Sequence, residues 1–208
     1  MGSSWCPRCG SDLTAPSALN SAWRCSEHGQ VLPLSVFDRV DEASVDHVRS
    51  LAEVPLWLPD PPPADWTMTG LAAVGDARSR VRATVSSLSG PAPLGGIGEW
   101  LFVAEEPGIG LGATYAHAAT DAPPAQVEMP AAKVHAFGRP TSLWAVPDIA
   151  LDRSAYVGEA EGVWLWLISF PADAGYAVLE NLHLSDIRRG HPPAIRSGVL
   201  STRLRPTA

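Results

Sequence analysis

The sequence predicts a mainly β protein with a small metal-binding head: an N-terminal zinc ribbon plus short helix, then an antiparallel β sandwich or barrel-like domain. Three observations lead there. Two pairs of sulfur and imidazole ligands stand at knuckle spacing before residue 29. After residue 66 the chain falls into about eight short apolar runs separated by glycine and proline breaks, the rhythm of strands and turns. No strand–helix–strand alternation occurs, which disfavours a Rossmann-type parallel sheet. With 46% hydrophobic and 18% charged residues in 208, the chain can bury a core.

The head spans residues 1–35. Trp5-Cys6-Pro7-Arg8-Cys9-Gly10 is followed, after fifteen residues between Cys9 and Cys25, by Cys25-Ser26-Glu27-His28-Gly29. Two ligands three apart on a tight turn can face one ion, and two such turns supply four tetrahedral ligands. Glycine after each knuckle suits a backbone with positive φ. Three thiolates and one imidazole, Cys6, Cys9, Cys25 and His28, favour one Zn²⁺ over calcium or magnesium. Four protein ligands leave no position for water, so the site is structural. A redox reading of Cys6-Pro7-Arg8-Cys9 and a reading as buried thiols beside a surface histidine are the alternatives. The unit's apolar residues, Trp5, Leu13, Leu19, Trp23, Val31 and Leu32, are too few to fold it without the ion.

Residues 36–65 hold a helix and a proline-rich connector. Asp41 is the expected N-cap of a helix over 41–53, with Val45, Val48, Leu51 and Ala52 on one stripe and Pro55 ending it. Pro59 and Pro61 to Pro63 favour a polyproline II path. Trp57 and Trp66 suggest that this path straps along the surface of the following domain.

Residues 66–187 form the β-rich domain. Its expected strands centre on Leu71–Val74, Val81–Val85, Trp100–Ala104, Gly112–Ala116, Lys133–Phe137, Leu143–Val146, Ala155–Val157 and Val163–Phe170. Tyr176 to Leu184 reads as strand or helix. Residues 120–130, with Pro123, Pro124 and Pro130, read as a mobile loop. Gly108-Ile109-Gly110-Leu111-Gly112 reads as a flexible hairpin tip, because a dinucleotide fingerprint would need a helix next. In residues 188–208, Arg188, Arg189, Arg196, Arg203 and Arg205 stand with no acid after Asp186. This stretch reads first as a solvated end, second as a strap docking on the chain itself or on a partner. Eight tryptophans outnumber the four phenylalanines and three tyrosines, and most of them are expected in the core.

The zinc knuckles resemble those of zinc-ribbon proteins generally. Together with Ser21-Ala22-Trp23-Arg24-Cys25, His28-Gly29 and Glu105-Glu106-Pro107-Gly108-Ile109-Gly110-Leu111-Gly112, they also resemble an uncharacterised zinc-ribbon-headed family of high-GC Gram-positive bacteria. The resemblance covers most of the chain. It implies a zinc-ribbon head on a domain of unknown role. Some such proteins carry a phosphotransacetylase label, which nothing in these residues supports.

Charge and motifs narrow the function. Net charge is −7, and Arg8, Arg24, Asp12 and Glu27 cancel within the head, so nucleic acid is a poor match. No apolar run approaches the roughly 20 residues of a membrane span. Met1 to Asp12 holds no secretory signal, and all three cysteines precede residue 26, which points to the cytoplasm. One lysine, Lys133, stands against fourteen arginines, a mark of genome bias. There is no P-loop and no nucleophile elbow. His117, His135, His183 and His191 read as satisfied or exposed histidines, with a second site that joins them to Asp121 as the alternative, and Glu159 and Glu161 have only spacing to suggest a carboxylate pair.

The expectation is a cytoplasmic protein, not an enzyme, that acts through protein interaction or regulation with a partner of unknown identity. The alternatives are an enzyme with its site near Gly108–Gly112, using Glu105, Glu106 and His135, and a ribbon that binds nucleic acid through Arg8, Arg24, Trp5 and Trp23.

Overall fold

The computed structural model describes residues 4–18, 20–119, 129–179, 182–190 and 196–206. Most of the loop expected at 120–130, together with Leu19, Asp121 and His191, lies outside the described residues.

The head carries a two-stranded ladder, β1 (Arg24–Cys25) with β2 (Gly29–Gln30). A short strand, β3 (Leu34–Val36), leads out of it. Helix α1 (Glu42–Leu51) follows, and Asp41 closes a capping box with Ser44 as its acceptor and donor partner. The larger sheet is built from β4 (Trp57–Pro59), β5 (Thr67–Asp76), β6 (Arg80–Pro91), β7 (Ile97–Glu105), β8 (Ala132–Ala136), β9 (Arg139–Ala145), β10 (Ser154–Ala160), β11 (Val163–Phe170), β12 (His183–Asp186) and β13 (Arg196–Ser197). Helix α2 (Leu111–Ala116) follows β7, and a 3₁₀ segment, Ala172–Leu179, follows β11.

Strand order is β13-β5-β6-β7-β11-β10-β9-β8-β12-β4, with β3 also on the edge of β5. Pairing is antiparallel except β12 on β8 and β13 on β5. The central strands β6, β7 and β11 are buried over most of their length because both of their faces are covered. In β7, Trp100, Phe102 and Ala104 enter one cluster and Leu101 and Val103 the other; in β11, Leu165 and Leu167 oppose Trp166 and Ile168. The first cluster draws side chains from β4 through β12, so the sheet curls around it. The second lies on the outer face, under β3, α2 and the segment around Leu204.

Three expectations are corrected here. The proline-rich connector is no surface strap: Leu56, Trp57 and Leu58 are buried, and β4 pairs with β12. The hydroxyls of Thr84 and Ser86 donate to the Pro55 and Trp57 carbonyls, so β4 is seated over β6. Its proline is tolerated because β4 ends the strand path, where an N–H is not needed on the outer side. The second correction concerns Gly112–Ala116, which is helix rather than return strand. Third, the described arginine-rich end is docked rather than solvated, with Leu204 1% exposed. The ambiguous run 176–184 resolves into the end of the 3₁₀ segment and the start of β12. All eight tryptophans are buried or half-buried.

Candidate metal centre

The two knuckles meet. The first is a turn in which the Ser11 carbonyl accepts from the Cys6 amide and the Cys6 carbonyl accepts from the Gly10 amide, each at 2.8 Å. Gly10 and Gly29 have φ of +71° and +68°, the left-handed backbone that glycine adopts without strain. One ligand atom from each of Cys6, Cys9, Cys25 and His28 lies within 4.8 Å of all the others, an arrangement that could hold a metal ion. Cys6 Sγ and Cys25 Sγ each lie 3.7 Å from His28 Nδ1, and Cys9 Sγ lies 3.7 Å from Cys25 Sγ. Nδ1 is thus the ring nitrogen turned toward the sulfurs. Cys6 and Cys25 are buried, Cys9 is half-buried and His28 is exposed.

The two buried thiols differ. Burial pushes Cys6 up to about 12. Cys25 is desolvated too, but hydrogen bonds from the His28 backbone and ring and from the Glu27 backbone outweigh that and bring it to about 6. Of these two, Cys25 offers a thiolate the more readily near neutral pH.

The head is bound to the sheet at several points. Arg8 donates to the Gly108 carbonyl at 2.5 Å, and the Thr114 hydroxyl donates to the Arg8 carbonyl at 3.2 Å. Trp23 Nε1 donates to Asp76 at 3.0 Å, and Arg78 donates to the Ser21 carbonyl at 3.2 Å. Arg205 lies over the Trp5 ring at 4.8 Å. Gly10 packs so closely on Pro206 that a Cβ there would overlap the proline's carbonyl. A cleft of about 380 Å³ remains between head and sheet, lined by Pro7, Arg8, His28, Val31, Leu32 and Ile109 among others.

The glycine run is built for this contact. Glu105, at the end of β7, is 1% exposed, and its carboxylate accepts from the Leu111 amide at 2.7 Å and the Gly112 amide at 3.2 Å. The carboxylate thus satisfies the free amides of the first turn of α2. Gly110 sits at φ +82° just before the helix. Tyr115, buried on α2, donates to the Leu204 carbonyl at 2.6 Å, and burial plus the nearby Glu105 charge pushes its hydroxyl far above the usual range. A Cβ on Gly112 would strike the Trp166 ring. Gly112→Ala is expected to lower stability by about 1–3 kcal/mol through overpacking, read as a lower denaturant midpoint at unchanged slope.

Asp76 makes the head's attachment acid-sensitive. Its partial burial opposes ionisation, but donors from the Ser79 backbone, Trp23, the Ser79 hydroxyl and the Arg78 backbone prevail and hold its carboxyl below the usual range. A depressed pKa contributes stability that is fully present above the unfolded value of about 3.9 and is lost as pH falls through the lower folded value. Asp76→Asn is expected to remove that part of the acid dependence and to alter Trp23 emission at neutral pH.

The other candidate residues are dispersed. Glu106 pairs with Arg82. His135 lies on β8, separated in the sheet from Glu105 on β7 by β11, β10 and β9, so Glu105, Glu106 and His135 do not converge near Gly108–Gly112. Instead the His135 ring stacks on His183 of β12, centroids 4.6 Å apart. The parallel register that sets His183 opposite His135 had no sequence signal beyond the two histidines themselves. Glu161 lies in the turn between β10 and β11 at φ +57° and pairs with Arg189, so it forms no carboxylate pair with Glu159.

A family model matches residues 1–204, and its description reads "Family of unknown function (DUF6758)". The chain belongs to this family. In this DUF6758 chain the match runs through both knuckles, the glycine run and the docked end. No curated protein matches it, and no solved structure does. No helix among the described residues is long and apolar enough to cross a membrane.

Proposed function

We propose that Cys6, Cys9, Cys25 and His28 hold one structural Zn²⁺, and that this protein acts in the bacterial cytoplasm through protein interaction or regulation rather than catalysis. The observation that supports the zinc assignment is the clustering of the four donor atoms within 4.8 Å, with the Cys9 and Cys25 sulfurs 3.7 Å apart. Sulfurs about 2.3 Å from the centre of a tetrahedron stand about 3.8 Å apart, the zinc value. The donor set, three sulfurs and one imidazole nitrogen, suits zinc over hard cations. All four positions are supplied by the chain, so the ion's work is to hold the head's shape against the sheet.

Two features support the interaction reading over its rivals. Glu105 is spent on the amides of α2 and His135 lies elsewhere in the sheet, which removes the constellation that the enzyme reading required. Of the groups a nucleic-acid-binding ribbon would present, Arg8, Trp5 and Trp23 are engaged with Gly108, Arg205 and Asp76, while Arg24 is exposed. The test has two arms. Metal analysis of protein purified without chelators is expected to give one zinc per chain. Affinity capture at native salt, compared between wild type and Cys25→Ser, is expected to recover a specific partner only with wild type. Turnover on a metabolite class with no specific partner recovered would overturn the reading.

A further inference from the structure

A second cavity, of about 200 Å³, opens between α2, the start of β10 and the segment 202–206. Three arginines from distant parts of the chain line it: Arg153, Arg203 and Arg205. Thr114, Thr202 and His117 add two hydroxyls and an imidazole, and among the described residues no carboxylate lines it.

Gathering three guanidinium groups costs free energy unless something compensates. Arg153 has compensation: its side chain is 10% exposed, it pairs with Asp152 and it donates to the Tyr115 carbonyl at 2.7 Å. Arg203 has some, with Glu99 3.3 Å away. Both also lie against one ring, their central carbons 4.9 Å and 4.2 Å from the Phe170 centroid. Phe170, itself part of the lining, thereby holds both guanidinium groups at the cavity. Arg205 lies on the face of Trp5 and pairs with no carboxylate among the described residues. Stacking holds a guanidinium plane in place while leaving its N–H edge free to donate.

We propose that this cavity is a binding site for a single phosphate group carried by a small molecule. Three cations suit a doubly charged phosphate better than a singly charged carboxylate, and a guanidinium fork matches its oxygens in pairs. The volume argues for one such group and against a nucleotide base, since pockets for drug-sized ligands begin at about 300 Å³. The site joins the two ends of the described chain: Arg205 touches Trp5 beside the first knuckle, and Thr114 holds the Arg8 carbonyl. A phosphate there would tie α2, the C-terminal segment and the head together. The proposal stands apart from the metal's identity and from any partner protein.

The test uses the full chain and inorganic phosphate, followed by calorimetry and by backbone and His117 ring resonances. Saturable binding is expected, with shifts at Thr114, His117 and Thr202. Arg205→Ala is expected to weaken it about tenfold or more, the loss of one charge-assisted donor pair. Arg205→Lys should fall between the two, and Arg139→Ala, in β9 away from the cavity, should bind as wild type does. His117 gives a second readout. Desolvation and the Arg153 charge lower its pKa, Asp152 partly offsets them, and Arg203 also faces the cavity. A bound phosphate should raise that pKa in wild type and less so in Arg205→Ala. No saturable binding, equal losses in Arg205→Ala and Arg139→Ala, or binding to anionic vesicles alone would overturn the proposal. One zinc per chain with no phosphate binding would sink this site and leave the metal assignment intact.

Discussion

Cys25→Ser is expected to take zinc content from one ion per chain to almost none and to loosen the head without melting the sheet. The reason lies in where each core is. The inner cluster, from β4 through β12, contains no residue of the head. The outer cluster is different: Leu34 and Leu204 are members, and Trp5 and Leu32 pack on it. A structural zinc supplies roughly 10–16 kcal/mol of binding free energy in small zinc modules, and in a unit this size it is the main stabilising term. Without it the Trp5–Arg205 and Gly10–Pro206 contacts lose the knuckle that positions Trp5 and Gly10. Far-ultraviolet circular dichroism should change little, tryptophan emission should shift red, and limited proteolysis should cut between residues 4 and 33 and near 199–206. Full unfolding of the sheet would show that the head is part of its nucleus; unchanged zinc would show that Cys25 is no ligand.

The second large effect is expected at Asp186. Its side chain is wholly buried, and it accepts from the Leu56 amide at 3.0 Å and from Arg188 through both the backbone N–H and the guanidinium. It thereby ties β12 to the residue that leads into β4 and neutralises an arginine only 14% exposed. Asp186→Ala leaves a buried cation and a buried amide without their acceptor. Breaking one half of such a pair costs about 3–5 kcal/mol. The measurement is the urea midpoint. Asp186→Asn keeps an acceptor for Leu56 and should lose less, and Arg188→Ala with Asp186→Ala should recover part of the loss. Equal midpoints for wild type and Asp186→Ala would show that the closing strand is held by its apolar side chains alone.

What could be read from the chain follows the range of the interaction that decides it. The knuckles were legible because each pair of ligands is three residues apart and needs only a turn. Helix α1 was legible because Asp41, Ser44 and the stripe Val45, Val48 and Leu51 lie within ten residues. The central strands were legible by their apolar runs. Helix α2 was not, because six residues with a glycine among them and another at the N-cap have little propensity, and the Glu105 carboxylate that anchors it acts through folded geometry. Strand β4 was hidden among prolines; Leu56, Trp57 and Leu58 implied contact with the following domain, but nothing local said that they would be buried or that β12 would be the partner. The docked segment around Leu204 was masked by its arginines, whose stems and planes lie on Phe170 and Trp5 and so read as solvated charge. The sulfur and imidazole positions of the candidate centre were thus fully visible, while the arginines of the second cavity became a group only after folding.

The meeting of Gly10 with Pro206 bears on the order of events during synthesis. The cysteine knuckles leave the ribosome well before Leu204, which is part of the surface on which they come to rest. Until then Trp5 and Leu34 have only part of their cover. Folding of this molecule should therefore include a late closure step that pairs residues 5–10 with 204–206, slow in the manner of contacts between residues far apart in sequence. A ribosome stalled before residue 199 should display a metal-loaded head that remains open to protease.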